Sequence, residues 1–171
     1  MATSELILPL AAREDPASNA PALVVVTSAA AATTNAFQVE VPVLAFDATT
    51  DECTSWPFYV PANYISGGTV IVQWMCPGDT SGDVVWKFSI YVATVASSDI
   101  DTSAAFNTVD TLTATLPATA GHFATSSKAL TSPGLAATRY AILMVGRDAD
   151  NGSDTASTDA QLLSATFSYT S

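Results

Sequence analysis

The sequence predicts an all-β fold: an antiparallel β-sandwich, a jelly roll of about eight strands, with an extended N-terminal arm. Three observations predict it. Apolar and polar residues alternate with period two over many short stretches. The clearest is "SGDVVWKFSIYVATV" (81–95), where Val84, Trp86, Phe88, Ile90 and Val92 share one face. Turn chemistry separates the stretches: Ser66-Gly67-Gly68, Pro77-Gly78-Asp79, Ser81-Gly82-Asp83, Ser132-Pro133-Gly134 and Asn151-Gly152. No amphipathic helix intervenes, so no βαβ unit can be built. An immunoglobulin-like sandwich is the alternative. Its Cys-Trp-Cys pattern is absent, because Cys53 and Cys76 are too close together to form the inter-sheet pair.

In chain order, residues 1–35 form the arm and residues 36–171 the jelly-roll domain. The arm is rich in Ala, Pro and Ser and has no sustained period. Within it "ALVVVT" (22–27) reads as a short strand, and the run Ala29–Ala32 is too short to nucleate a helix. The alternation then begins. "AFQVEVPV" puts Phe37, Val39, Val41 and Val43 on one face. "TSWPFYVP" does the same for Trp56, Phe58 and Val60. Pro57 and Pro61 cannot donate to a ladder, so this strand belongs at an edge or carries a bulge. "TVIVQWMC" aligns Val70, Val72, Trp74 and Cys76, and the strand over 83–93 follows. Weaker strands are expected at 108–115 and 122–130. "RYAILMVGR" supplies Tyr140, Ile142 and Met144, and "LLSATFSYT" supplies Leu163, Ala165, Phe167 and Tyr169.

A length of 171 residues suits one domain, or one domain with an extension. Charged residues make up 12% of the chain, about half the usual share, so the polar surface is built from Ser, Thr, Asn and Gly. Sixteen acidic residues against five basic ones give a net charge of −11. Such a surface repels phosphate backbones and anionic lipid, which argues against nucleic acid and membrane as partners. No apolar stretch approaches the length of a membrane span. The N-terminus "MATSELILPLAARED" lacks a basic n-region, and Pro9 interrupts its apolar run, so it does not read as a signal peptide. Cys53 and Cys76 are expected as free thiols.

Several groups of residues carry side chains suited to chemistry. Asp148, Asp150, Asn151, Asp154 and Asp159 carry oxygen ligands suited to calcium, but Gly152 falls where the standard loop needs a ligand. The structural reading is a wide hairpin loop turned by Asn151-Gly152. There Arg147, at the end of an apolar strand, takes Asp154 or Asp159 as its partner. Asp47, Asp51 and Glu52 are close enough for a general acid/base pair, yet no nucleophile accompanies them. They read as a solvated turn. His122 is the only histidine, with no nucleophile elbow near it, and reads as structural. The cysteines lack the spacing of a zinc site, and no Gly-rich phosphate loop occurs. No catalytic residue, metal ligand or cofactor site is therefore assigned. Among the aromatics, Trp74 and Trp86 lie on core-facing sides. Tyr59 and Tyr91 point the other way, where exposed rings would stack on sugars.

Several segments together carry a family resemblance. They are Phe46-Asp47, Thr50-Asp51-Glu52, Pro61 to Tyr64, Gly67 to Val70, Ser81 to Trp86, and Arg147 to Asp154. Over about residues 40–171 the chain resembles jelly-roll virion proteins of tailed bacteriophages. These motifs are turn, edge and core residues and carry no chemistry. The resemblance implies a structural, non-enzymatic protein made in the host cytoplasm and placed on the capsid surface. It would decorate or cement the shell by bridging neighbouring copies of the major capsid protein, as a homotrimer. Arm residues Leu6, Ile7, Leu8, Leu10, Leu23, Val24, Val25 and Val26 are the expected anchor, being apolar with no evident core of their own. A carbohydrate-binding or structural module of a tail fibre or spike is the alternative function.

Overall fold

The computed structural model describes residues 1–27, 39–101, 104–131 and 133–171. The run Ala29–Ala32, Phe37 and the boundary expected at 35/36 lie outside the described residues, as does Ser132 of one expected turn. Ten strands are described: β1 (Thr3–Leu8), β2 (Ala22–Thr27), β3 (Glu40–Phe46), β4 (Glu52–Tyr59), β5 (Ser66–Met75), β6 (Asp83–Val92), β7 (Asp110–Thr115), β8 (Phe123–Ala129), β9 (Tyr140–Arg147) and β10 (Ala160–Thr170). They form two antiparallel sheets packed face to face as a jelly-roll sandwich. One sheet runs β2-β3-β10-β5-β8 with β1 also on β10, and the other runs β4-β9-β6-β7. One short 3-10 turn, Leu10–Ala12, is the only helical element among the described residues.

The long strand β10 organises the larger sheet. One of its sides pairs with β5. Its other side is shared end to end: residues 160–162 pair with β3, and residues 165–170 pair with β1. The core lies between the sheets. Trp56, Trp74 and Trp86 are all buried there, with Phe46, Phe88 and Phe167. Trp86 meets both Phe46 and Trp74 edge-on, with ring centroids 5.4 and 5.8 Å apart. Removing a side chain of this size from water stabilises by about 4–6 kcal/mol as an upper figure.

The expected inward faces hold for β4, β5 and β6, and β4 is indeed an edge strand. Three expectations need correction. In β9 the buried residues are Ala141, Leu143 and Val145, while Tyr140, Ile142 and Met144 lie on the outer face. Both faces of that strand are apolar, so alternation could not choose between them. In β10 the register shifts between Leu162 and Ser164. That bulge puts Leu162 inside and leaves Leu163 half-buried, while Ala165, Phe167 and Tyr169 point inward as expected. In β3 Leu44 and Phe46 join the core between the sheets, while of the expected face Val43 is buried and Val39, just before the strand, is exposed.

The arm residues pack on the sandwich of the same chain. β1 lies along β10, and Leu8 is buried while Leu6 and Leu10 pack against the core. Residues 13–19 then cross to the second sheet. Glu14 exchanges two backbone hydrogen bonds with Ser55 (2.7 and 3.0 Å), and the Cys53 N–H donates to the Asn19 carbonyl. This covers the exposed side of β4. The buried Trp56 indole N–H donates to the Pro9 carbonyl at 2.9 Å, so the arm satisfies a polar group of the core.

Candidate functional site

The two ends of the four-stranded sheet carry different chemistry. At the end where β9 finishes, Arg147 is fully buried. Its guanidinium makes a bidentate pair with Asp154, Nε to Oδ2 at 3.0 Å and Nη2 to Oδ1 at 2.8 Å. The remaining donors reach the carbonyls of Phe46, Thr158 and Ala156. Every guanidinium donor is thus used, as a buried cation requires. Asp154 is one of the two partners expected for Arg147.

The other candidate carboxylates serve the same framework. Asp47 accepts hydrogen bonds from Thr49 and Thr50, and these hold its carboxyl below the usual range. Glu52 accepts from the Asp47 N–H, and burial raises its carboxyl. Asp79 accepts four bonds from the backbone and hydroxyls of Ser157 and Thr158. Partial burial pushes the Asp79 carboxyl up, but these bonds outweigh it and the net shift is down. Asp51, Asp148 and Asp150 come together from the two acidic segments, and Lys87 pairs with both Asp51 and Asp148. Desolvation of Asp51 is likewise outweighed, here by Lys87, and its net shift is also down. Asn151 donates to Asp148. Gly146 lets these strands close up: a Cβ there would sit 2.8 Å from the Glu52 carbonyl oxygen and 3.1 Å from the Lys87 side chain. His122 is exposed in the turn before β8. Both cysteines are free, and burial raises the Cys76 thiol to about 12.

The opposite end of the same sheet is open. Tyr59 and Tyr140 are cross-strand partners on its outer face, with ring centroids 5.5 Å apart and an edge-on angle of 66°. Tyr59 is 71% exposed. With the loop after β6 they line a cleft of about 440 Å³ that also holds Thr94, Val95, Ser98, Ile100 and Thr138. That volume lies within the range of small-molecule sites, about 300–1,000 Å³. Thr94 anchors the loop: its N–H donates to Ser98 Oγ, its carbonyl accepts from the Ser97 and Ser98 N–H groups, and Arg139 donates to its Oγ1. Two of the residues lining the cleft, Ala96 and Thr138, have left-handed backbones with φ of 61° and 65°. For a β-branched threonine this is a strained conformation. A larger hollow of about 600 Å³ beside it is bounded, among the described residues, by residues 96–101.

Sequence reasoning singled out Tyr59 but missed Tyr140, Ile100 and Thr138. The missing signal was register: only the β4–β9 pairing sets the two tyrosines side by side. Tyr91, the other expected accessible aromatic, is half-buried on the outer face. Of the expected anchor residues, Leu6, Leu8 and Leu10 pack on the chain's own core. Ile7, Leu23, Val24 and Val25 are exposed, and Val26 is half-buried. Among the described residues, no helix is long and apolar enough to cross a membrane.

No protein-family model and no curated protein matches the chain. Solved structures of similar shape include a family 35 carbohydrate binding module from an environmental isolate, 14% identical with a TM-score of 0.49, covering 94% of this chain and 90% of that one. CBM35 from Cellvibrio japonicus Abf62 is 10% identical with a TM-score of 0.46, covering 96% and 92%. The xylan-binding module CBM15 is 10% identical with a TM-score of 0.46, covering 98% and 97%. At such identities and scores a likeness does not extend to function.

Proposed function

We propose that the protein is a non-catalytic carbohydrate-binding module whose site is the Tyr59–Tyr140 cleft. The observation that carries this reading is the exposed Tyr59 ring set beside hydroxyl groups in a cleft of ligand size. A sugar presents C–H faces and hydroxyls together. The first need an aromatic surface and the second need hydrogen-bonding partners. Tyr59 and Tyr140 supply the surface, while Thr94, Ser98 and Thr138 supply the hydroxyls. The charge of −11 favours neutral glycans over polyanionic ones. A glycan array followed by calorimetric titration tests it. Binding of a neutral glycan should weaken about 3- to 10-fold in Tyr59→Ala. A hit that Tyr59→Ala leaves unchanged moves the site elsewhere, and no hit on a broad array ends the reading.

The second reading is capsid decoration, with the major capsid protein as partner. It rests on the sequence motifs. The structural observation that favours it is apolar surface this chain leaves uncovered, at Ile7, Leu23, Val24 and Val25. Mixing the protein with expanded shells that lack it, then counting copies in the pellet, decides this one. Saturation at a lattice stoichiometry supports it, and an empty pellet removes it.

A further inference from the structure

The cleft proposed to take sugar is not lined by aromatic rings and hydroxyls alone. Ala93, Val95, Ala96 and Ile100 also line it, with Val95 90% and Ile100 53% exposed. A plain hexose gains little from such a wall. Its ring face is served by Tyr59, and its rim carries a hydroxyl at nearly every carbon. A hydroxyl pressed against Val95 or Ile100 gives up water and gains no partner, which weakens binding. A methyl group in the same place gains from leaving water. The wall therefore discriminates by substituent, against a free hydroxyl and in favour of a methyl.

The hydroxyls beside that wall narrow the substituent further. Thr94 Oγ1 already accepts from Arg139, and Ser98 Oγ already accepts from the Thr94 N–H. Each hydroxyl still has its own proton to give. Thr94 immediately precedes Val95, and Ser98 lies two residues before Ile100. Apolar surface and O–H donors thus alternate along one loop. An acetamido group matches this alternation, because its methyl and its carbonyl oxygen flank one carbon. A deoxy sugar such as fucose brings a methyl without the carbonyl. A plain hexose brings neither.

We propose that the cleft selects neutral sugars carrying an N-acetyl group, with Val95 and Ile100 against the methyl and Thr94 and Ser98 donating to the carbonyl. The inference rests on the carbohydrate reading of this cleft and names the sugar class that reading leaves open. One carbon more or less in an apolar pocket is worth about 10- to 200-fold in discrimination. A wall as exposed as this one belongs at the lower end, about 10-fold.

Calorimetric titration of the full chain with matched sugars tests it. Trimers of N-acetylglucosamine and of glucose with the same linkage differ only in the acetamido group. The methyl glycosides of N-acetylgalactosamine and galactose repeat the comparison in the other ring stereochemistry, and methyl fucoside supplies a methyl without a carbonyl. The acetylated partner should bind about 10-fold more tightly in at least one of the two pairs. Val95→Ser and Ile100→Ser should bring that ratio towards one. Both side chains are more than half exposed, so the fold tolerates the exchange, and an unchanged melting temperature checks this. Equal binding of the partners, a preference for the unacetylated one, or tighter binding of fucoside than of either acetylated sugar overturns the inference and leaves the carbohydrate reading standing. So does a preference that neither serine variant moves. Failure of every sugar to bind ends the carbohydrate reading itself, and this inference with it.

Discussion

The two ends of the four-stranded sheet are built from the same strands and treat polarity in opposite ways. At the Arg147 end, charged groups are numerous and almost all engaged. Arg147 holds Asp154, Lys87 holds Asp51 and Asp148, and Asp79 holds Ser157 and Thr158. At the Tyr140 end, apolar side chains stand in water: Tyr59, Val95 and Ile100 are 71%, 90% and 53% exposed. The loop after β6, with left-handed Ala96, and left-handed Thr138 just before β9 border them. The acidic motif that looks most like chemistry in the sequence is therefore framework. The end with surface to spare for a ligand carries none of the acidic motifs. Buried ion pairs need full satisfaction to be tolerated, whereas a binding surface must leave something unsatisfied.

The sharpest way to break this contrast is at the buried pair. Asp154→Ala leaves an uncompensated guanidinium and should destabilise the fold by about 3–5 kcal/mol, measured by denaturant titration. A loss below about 1 kcal/mol would mean that the Arg147 end is not the framework described here. Acidification is next. The carboxyls of Asp51 and Asp79 lie below their ordinary value when folded. Their contribution is therefore present above the unfolded carboxylate value, about 3.9, and disappears as pH falls through the folded values. Glu52, raised by burial, works in the opposite direction. Melting temperatures should fall below about pH 4, and Asp79→Asn should shrink that fall.

Smaller effects are expected at the open end. Thr138→Gly removes the strain of a left-handed threonine and should stabilise by about 1 kcal/mol. Tyr59→Ala should change stability by no more than about 0.5 kcal/mol while weakening glycan binding. If Tyr59→Ala instead unfolds the protein, the ring is a structural element and the cleft is not a spare surface.

The sequence made the contrast only half legible. The core strands β5 and β6 were readable because Thr69 and Gln73 mark the outer face of β5 and because β6 carries Trp86 and Phe88 in alternation. The Arg147–Asp154 pair was readable because an arginine at the end of an apolar strand must find a carboxylate. Strand β9 was not, because Tyr140-Ile142-Met144 and Ala141-Leu143-Val145 are equally apolar and only packing selects the second set. The bulge at Leu163 hid for the same reason, in a run of two leucines. β1 read as part of an arm because its partner, β10, lies at the other end of the chain. The cleft is hidden more deeply, since cross-strand register and a loop from a third strand build it.

The position of β10 bears on how the molecule comes into being. Of the ten strands it is synthesised last, yet it binds β5 on one side and β3 and β1 on the other. Until it emerges, the larger sheet has no centre, and apolar faces synthesised much earlier, such as Val70, Val72 and Trp74, wait without their partner. Closing the sheet joins residues far apart along the chain, as in Thr3 with Thr170. The sandwich therefore closes late and through non-local contacts, in the millisecond-to-second range typical of such β topologies. Until β10 emerges, the nascent strands are exposed to aggregation.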